Sequence, residues 1–169
     1  GSEMCIRDSC KPEGWTAPTS TDYTRSLQQQ AVNQSKVDAN VGYDINPQFS
    51  PDGKYVAWSS MERDGYESDR ARLCVYDLKS GKKSYVTESF DSGVDGFAWA
   101  SDSKQLFFVG VWHGKANLHV TNLQGKVRAI TNEQADYSLV APLYGGKQLL
   151  VKRHSMATAD EIFLVDTRT

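Results

Sequence analysis

The sequence predicts an all-β fold made of about three consecutive four-stranded antiparallel sheets, the last of them incomplete. Three observations indicate this. From residue 42 onward, short apolar or alternating runs follow one another, turn residues separate them, and the whole pattern repeats at a spacing in the forties. The apolar residues lack the 3.6-residue periodicity of amphipathic helices, which excludes a helical repeat.

The predicted strands fall into groups of four, four and three. The first group is INPQF, KYVAWSS, ARLCVYDL and KSYVT. The second is DGFAW, KQLFFVGVW, NLHVTNL and KVRAIT, and the third is YSLVAPL, KQLLVK and EIFLVD. The middle strands of each group are nearly continuous apolar runs, so we expect both of their faces to be covered, whereas outer strands such as KKSYVT carry charge.

The repeat identifies the architecture. Fifty residues separate Lys54 from Lys104, and forty-three separate Lys104 from Lys147. Four strands in a unit of forty-odd residues are typical of a β-propeller blade. An immunoglobulin-like sandwich is the alternative, but it would not repeat one turn and one Thr-ended outer strand at this spacing. We therefore predict a partial β-propeller, with blades at about 42–90, 91–134 and 135–169.

A short turn joins the first strand of each predicted blade to the second. In SPDG, Pro51 presets φ for a type I turn and Gly53 takes a position where a side chain would clash. The second blade has SDSK and the third YGGK. Ser103 lacks the freedom of glycine, so the second turn is the weakest by sequence. The residues that we assign to these turns, and so to the fold, are Pro51, Asp52, Gly53, Asp102 and Gly146.

The first forty residues differ from the rest. We interpret residues 1–10, GSEMCIRDSC, as a non-native stretch typical of translated sequencing-adapter DNA, the alternative being a genuine terminus that frays. Residues 11–41 are polar and poor in aliphatic side chains, so we predict an irregular segment, with a possible remnant of a preceding blade. Outside this region only Cys74 remains, and we expect it to be a buried apolar residue.

Composition excludes several function classes. The 169 residues carry a formal net charge of −2, so no basic surface for nucleic acid or an anionic membrane is expected. No run of eighteen apolar residues occurs, so no membrane span is predicted. The cysteines give no disulfide framework, and we expect no cofactor.

Two groups of residues resemble catalytic or metal sites, and we assign neither role. His154, Ser155 and Asp160 lie close in sequence, but adjacent residues of an extended segment point to opposite faces, so the serine and histidine cannot easily pair. His113 and His119 flank the turn in WHGKANLH and could face each other across a hairpin. No carboxylate or thiol is placed to complete a zinc site there.

Four segments carry a family resemblance: YDINPQFSPDGKYVAW, SMERDGYESDRARL, DGFAWASDSKQLFF and KRHSMATADEIFLVD. Together they resemble the β-propeller of the prolyl oligopeptidase family of serine peptidases, above all its bacterial dipeptidyl-peptidase and acylaminoacyl-peptidase members. The resemblance covers about residues 42–169. GYESDRARL and HSMATADEIF are its specific parts, whereas SPDGK also occurs in other propellers, including that of the translocation protein TolB.

The resemblance implies a role in peptide cleavage. In that family a propeller of several blades caps an α/β-hydrolase domain, which carries the catalytic Ser, Asp and His. This sequence contains no G-x-S-x-G nucleophile turn. We therefore expect a non-catalytic segment that gates peptide access to a hydrolase domain further along the same polypeptide. A periplasmic location is expected, with the cytoplasm as alternative, and a TolB-like scaffold that binds proteins is the alternative function.

The charged loop MERDGYESDR, residues 61–70, is the candidate binding segment. A loop of this composition is either held by its own ion pairs or meets a partner. In dipeptidyl peptidases of the resembling family, propeller glutamates bind the free amino group of the substrate through charge-assisted hydrogen bonds. The paired-glutamate motif is absent here, and our hypothesis is that Glu67 serves in its place, with Arg70 beside it.

Overall fold

The computed structural model describes residues 42–66 and 68–168. The stretches 1–10 and 11–41, for which we predicted a non-native terminus and an irregular segment, lie outside the described residues. The predicted limits of the blades stay predictions, because the connecting residues between two sheets belong equally to both.

Every strand predicted from the sequence is present, in three antiparallel sheets. The first sheet has the order β1-β2-β3-β4, with β1 Asp44–Phe49, β2 Tyr55–Ser60, β3 Arg72–Asp77 and β4 Lys83–Tyr85. The second has the order β5-β6-β7-β8, with β5 Val94–Trp99, β6 Gln105–Trp112, β7 Lys115–Asn122 and β8 Val127–Ala129. The third contains β9 Asp136–Leu143, β10 Gln148–Ser155 and β11 Thr158–Asp166. The partial propeller with an incomplete last blade is thereby confirmed.

The first strands of the first two blades occupy equivalent places. Phe49 ends β1 opposite Val56, and Trp99 ends β5 opposite Leu106, each seven residues further on. Their surroundings differ, since Phe49 is 69% exposed and Trp99 7% exposed. Trp99 faces the first blade, which covers it, whereas no described blade precedes Phe49.

The turn residues act partly as predicted. Gly53 has φ 69°, and its N–H donates to the carbonyl oxygen of Ser50 over 2.8 Å. A Cβ on Gly53 would meet no more distant atom within 4 Å, so glycine is favoured here by the left-handed backbone, in which a side chain is strained against its own chain. Ser103 adopts φ 59° at the corresponding place in the second turn. A 3-10 helix, Tyr144–Gly146, replaces the tight turn in the third blade.

Polar residues recur at equivalent positions because they satisfy equivalent backbone groups. At the ends of the third strands of the blades, Asp77 accepts from the N–H of Lys79, and Asn122 accepts from the N–H of Gln124. The threonines two residues after the outer strands β4 and β8 accept in the same way, Thr87 from the N–H of Leu73 and Thr131 from the N–H of Leu118, each over 2.9 Å. These bonds explain the threonine repeat noted in the sequence.

The core consists of two apolar layers between successive blades. Leu106 and Phe108 of β6 pack against the first blade, and the alternate residues Phe107 and Val109 pack against the third. Both faces of β6 are therefore covered, as its continuous apolar run predicts. Cys74 is buried, as expected from its apolar neighbours in sequence.

Hydrogen bonds also join the first blade to the second. The indole Nε1–H of Trp99 donates to the carbonyl oxygen of Gln48 over 3.2 Å, and the backbone N–H of Asp52 donates to Oγ of Ser103 over 3.0 Å. The buried hydroxyl of Thr121 donates to the carbonyl oxygen of Val86 over 2.7 Å. The first bond joins strands β1 and β5, the second joins the turns that follow them, and the third joins β7 to the residue after β4.

Because the strands alternate in direction, the connections lie at two opposite ends of the blades. The turn end has the short connections 50–54, 78–82, 100–104, 123–126 and 144–147. The loop end has the connections 61–71, 86–93, 113–114, 130–135 and 156–157. Among the described residues, no helix has the length and apolar character that crossing a bilayer would require.

Candidate functional site

The charged loop between β2 and β3 is held by an internal ion pair. Nε of Arg63 donates to Oδ1 of Asp69 over 2.8 Å, and the backbone N–H of Arg63 donates to Oδ2 over 2.8 Å. The guanidinium group of Arg63 also lies 4.1 Å from the centre of the Tyr66 ring. Hydrogen bonding from Arg63 lowers the pKa of Asp69, so its carboxylate stays charged. Arg63, Tyr66 and Asp69 therefore hold one another within this loop.

Two further arginines meet one carboxylate beside this loop. Nη2 of Arg70 lies 3.2 Å from Oε1 of Glu88, and Nη1 of Arg72 lies 3.2 Å from Oε2 of the same glutamate. Arg70 also donates from Nη1 to the carbonyl oxygen of Phe90 over 3.0 Å. The loop is thereby tied to the connection between the first and second blades, and we call Arg70, Arg72 and Glu88 the arginine cluster.

The arginine cluster borders a cavity of about 310 Å³ that Glu62, Arg63, Asp69, Arg70 and Arg72 line. Arg72 is the most enclosed cation, with a side chain that is 12% exposed and lies 4.2 Å from the centre of the Tyr85 ring. The cavity can hold a small polar group, because cations and carboxylates both face it.

The predicted binding residues have different outcomes. Arg70 lines this cavity, and its guanidinium group is engaged by Glu88 and by the backbone of Phe90. Glu67 lies outside the described residues. The roles of both in substrate binding stay predictions.

A second cavity, of about 380 Å³, lies at the loop end of the second blade. We call it the aromatic cavity. It lies between the connection 86–93, which follows β4, and strands β7 and β8 of the second blade. Its lining residues are Ser89, Phe90, Asp91, Trp112, Lys115, Asn117, His119, Val127, Ala129, Thr131 and Asn132.

Aromatic rings form much of the wall of this cavity. The ring centre of His119 lies 4.8 Å from that of Phe90 and 5.2 Å from that of Phe108. Gly110 leaves room for this arrangement, because a Cβ there would lie 2.4 Å from Cζ of Phe90 and 3.0 Å from Nδ1 of His119. Burial lowers the pKa of His119, so its imidazole is neutral near pH 7.

The two histidines of WHGKANLH do not face each other. His113 and Gly114 form the turn itself, both with positive φ, as a two-residue hairpin turn of type I′ requires. His119 lies further along β7, opposite Phe108. Nδ1 of His119 is 3.0 Å from the carbonyl oxygen of Asn117, so this nitrogen carries the proton and Nε2 is the acceptor.

The third blade brings His154 between two carboxylates. Nδ1 of His154 lies 3.2 Å from Oδ1 of Asp160, and Nε2 lies 3.7 Å from Oδ2 of Asp136. The first contact is close but poorly aligned, and Nδ1 has no hydrogen bond of good geometry to any described group. The hydroxyl of Ser155 pairs instead with that of Thr158 over 2.9 Å. Serine and histidine are therefore not a nucleophile and base pair, and within residues 42–66 and 68–168 no group of His, Cys, Asp and Glu side chains is arranged to hold a metal ion.

Sequence reasoning missed the aromatic cavity. Its signals were present, since Gly110 interrupts the apolar run of β6 and Trp112 ends that run beside a turn. A glycine inside a strand marks a place where another group approaches closely. The approaching group is Phe90, twenty residues earlier in a connection whose path the strand pattern does not predict.

Comparison with known proteins supports the predicted resemblance. No family model matches the chain. Dipeptidyl-peptidase 5 of Porphyromonas gingivalis is 45% identical over 129 residues, which are 76% of this chain and 19% of that protein. Dipeptidyl-peptidase 5 of Porphyromonas endodontalis is 40% identical over 129 residues, 76% of this chain and 18% of that protein. The chain thus spans about a fifth of the length of these relatives.

Solved structures with the same fold include both peptidases and TolB. A puromycin-hydrolyzing peptidase of Mycobacterium tuberculosis aligns with a TM-score of 0.59 at 17% identity, over 80% of this chain and 23% of that chain. TolB of Acinetobacter baumannii aligns with a TM-score of 0.57 at 20% identity, over 81% of this chain and 33% of that one. At such identities these structures show the fold alone. The relatives and the fold together confirm the resemblance, and the chain is a segment of a peptidase-family β-propeller.

Proposed function

We propose that these blades belong to the access propeller of a serine peptidase that removes short peptides from its substrates. The observation that carries the proposal is the 45% identity with dipeptidyl-peptidase 5 of P. gingivalis, which extends over 76% of the chain. The catalytic serine, histidine and aspartate are then supplied by an α/β-hydrolase domain of the same polypeptide, since the sequence has no G-x-S-x-G turn.

In this proposal the blades act by restricting access. The blades are stacked tightly, with apolar layers and hydrogen bonds between them, so a substrate cannot pass between two blades. Peptides that reach the hydrolase through the propeller must be narrow and unfolded, and folded proteins are excluded. The proposal also includes a periplasmic location, which fractionation of the source cells and detection of the protein in the periplasmic fraction would test.

The gene of the complete polypeptide gives the first test. We expect a G-x-S-x-G sequence within about 250 residues after Thr169, the scale of one catalytic domain. The second candidate function is a TolB-like scaffold that binds proteins, since TolB shares this fold over 81% of the chain and the fold alone does not separate the two functions. A stop codon or only further blades in that interval would favour the scaffold and contradict the peptidase proposal.

Enzyme kinetics give the second test. The complete polypeptide should release dipeptides from short chromogenic substrates, and substitution of the serine in G-x-S-x-G by alanine should abolish the release. A size series from dipeptide substrates to a reduced, unfolded protein should show falling kcat/KM with size. Equal kcat/KM across the series would contradict the gating role while leaving the peptidase assignment intact.

The charged loop is proposed to select the amino terminus of the substrate through Glu67. A carboxylate binds an ammonium group by charge-assisted hydrogen bonds, and loss of such a bond costs about 1.5–3 kcal/mol. Glu67→Ala should therefore raise KM for dipeptide substrates about tenfold or more, with little change in kcat. Asp64→Ala, an exposed carboxylate in the same loop, is the matched control. An unchanged KM in the Glu67 variant would reject this role.

A further inference from the structure

The aromatic cavity shares no lining residue with the cavity beside the charged loop. Its volume of about 380 Å³ lies at the lower end of the range for small-molecule sites, about 300–1,000 Å³, so it has room for the last one or two residues of a peptide. Its lining includes residues of β7 and β8 and no residue of the first strands β1, β5 and β9.

The wall of the cavity suits an aromatic ring. Trp112 is 46% exposed, an unusual state for a side chain with so much apolar surface. His119 is neutral near pH 7 and is stacked on Phe108, so it presents an uncharged aromatic surface. A planar side chain entering here would contact the uncharged rings of Trp112 and His119.

One cation in the cavity has no counter-ion among the described residues. Lys115 begins β7 opposite Trp112, is half-buried, and forms no ion pair with any other described residue. Asp91 also lines the cavity but is exposed, and it does not pair with Lys115. A carboxylate bound in the cavity would supply a counter-ion for Lys115, and their attraction is stronger where the cavity walls exclude water.

We propose that the aromatic cavity binds the carboxyl-terminal end of a short peptide whose last side chain is aromatic. The terminal carboxylate pairs with Lys115, and the ring packs against Trp112 and His119. The acceptor Nε2 of His119 makes no hydrogen bond with a described residue and takes the amide N–H of the ligand. This site does not depend on the proposed peptidase function, since it is complete in one blade and one connection.

Binding to the complete polypeptide, measured by isothermal titration calorimetry, tests the proposal. The probe is N-acetyl-L-phenylalanine, whose blocked amino group removes the feature that a dipeptidyl-peptidase site requires. The comparison ligand is N-acetyl-L-phenylalaninamide, which lacks only the carboxylate. We expect the acid to bind about tenfold more tightly than the amide, because a charge-assisted bond contributes about 1.5 kcal/mol or more.

Two substitutions assign the binding to this cavity. Lys115→Gln should weaken binding of the acid about tenfold and leave the amide unchanged. Trp112→Ala should weaken both ligands about 2- to 10-fold through loss of aromatic contact. Lys126→Gln removes an exposed lysine at the turn end and is the matched control, with no expected change. Circular dichroism and melting temperature should match the wild type in both lysine variants.

Three results would overturn the proposal: equal affinities of acid and amide, an unchanged acid affinity in Lys115→Gln, or no binding at millimolar ligand. None of these bears on the peptidase assignment, which is measured by dipeptide release. Loss of release with intact binding of the acid would reject the peptidase function alone.

Discussion

Replacement of Gly110 by alanine tests the packing on which the aromatic cavity depends. The added Cβ would lie 2.4 Å from Cζ and 2.8 Å from Cε1 of Phe90, and 3.0 Å from Nδ1 of His119. The first two distances are far below van der Waals contact, so the ring of Phe90 must move. Overpacking of this kind costs about 1–3 kcal/mol. We expect Gly110→Ala to lower the free energy of unfolding by that amount.

A matched substitution separates this clash from the general effect of alanine. Gly96 lies in β5 next to β6, and a Cβ there would meet nothing within 4 Å. Because alanine restricts the unfolded chain more than glycine does, Gly96→Ala should leave stability unchanged or raise it by about 0.4–1 kcal/mol. Both variants are compared with wild type by urea denaturation of the complete polypeptide, with amide hydrogen exchange of β6 and β7 to locate the effect.

The double variant identifies the clashing group. Phe90→Ala alone removes packing on Phe108 and His119 and should destabilise the fold. In the Phe90→Ala background, however, only the 3.0 Å approach of the added Cβ to Nδ1 of His119 remains, so the second substitution should cost less. We expect a coupling energy of about 1–3 kcal/mol between the two sites. Additive effects, or a Gly110→Ala variant as stable as Gly96→Ala, would refute this account of the packing.

Three further predictions concern the contacts between and within blades. Ser103→Ala removes the acceptor of the Asp52 N–H and keeps the left-handed backbone, so it should lower the free energy of unfolding by about 1–3 kcal/mol. Ser103→Gly should lower it less, because glycine tolerates φ 59°, and thermal melts of both variants check this order. Thr121→Val leaves the carbonyl oxygen of Val86 without its 2.7 Å bond and should cost about 1–3 kcal/mol in urea denaturation. The pKa of Asp52 is lowered from 3.8 to about 2, chiefly by the hydrogen bond from the Ser50 hydroxyl. The contribution of Asp52 to stability is therefore present above pH 3.8 and is lost as the pH falls towards 2. Asp52→Asn should make the free energy of unfolding less dependent on pH in this window, and Asp64→Asn is the charge control.

The sequence contained most of the fold because blades are repeated and local. Lys54 and Lys104 occupy matching places after turns whose Asp52 and Asp102 both accept a backbone N–H two residues on. Such Asx turns are short-range chemistry that a pattern of letters can reveal. The positive φ of Gly53 follows from the type of turn, whereas the open space around this residue could not be predicted from the sequence.

The candidate sites were less predictable because they depend on contacts between residues far apart in the chain. The loop 61–70 was correctly identified as charged, yet Arg70 is held by Glu88, eighteen residues later. No local pattern indicates that the connection after β4 turns back towards β3. The same connection brings Phe90 over Gly110, and the aromatic cavity follows from that single long-range approach.

The connection 86–93 therefore joins the two cavities of the loop end. Glu88 forms ion pairs with Arg70 and Arg72, which line the cavity beside the charged loop. Phe90, two residues later, packs on His119 in the wall of the aromatic cavity. Arg70 spans both, because it pairs with Glu88 and also donates to the carbonyl oxygen of Phe90. A ligand that drew Arg70 away from Glu88 would also release a backbone group beside the aromatic cavity. The two cavities are adjacent parts of one hydrogen-bonded surface, built where one blade passes to the next.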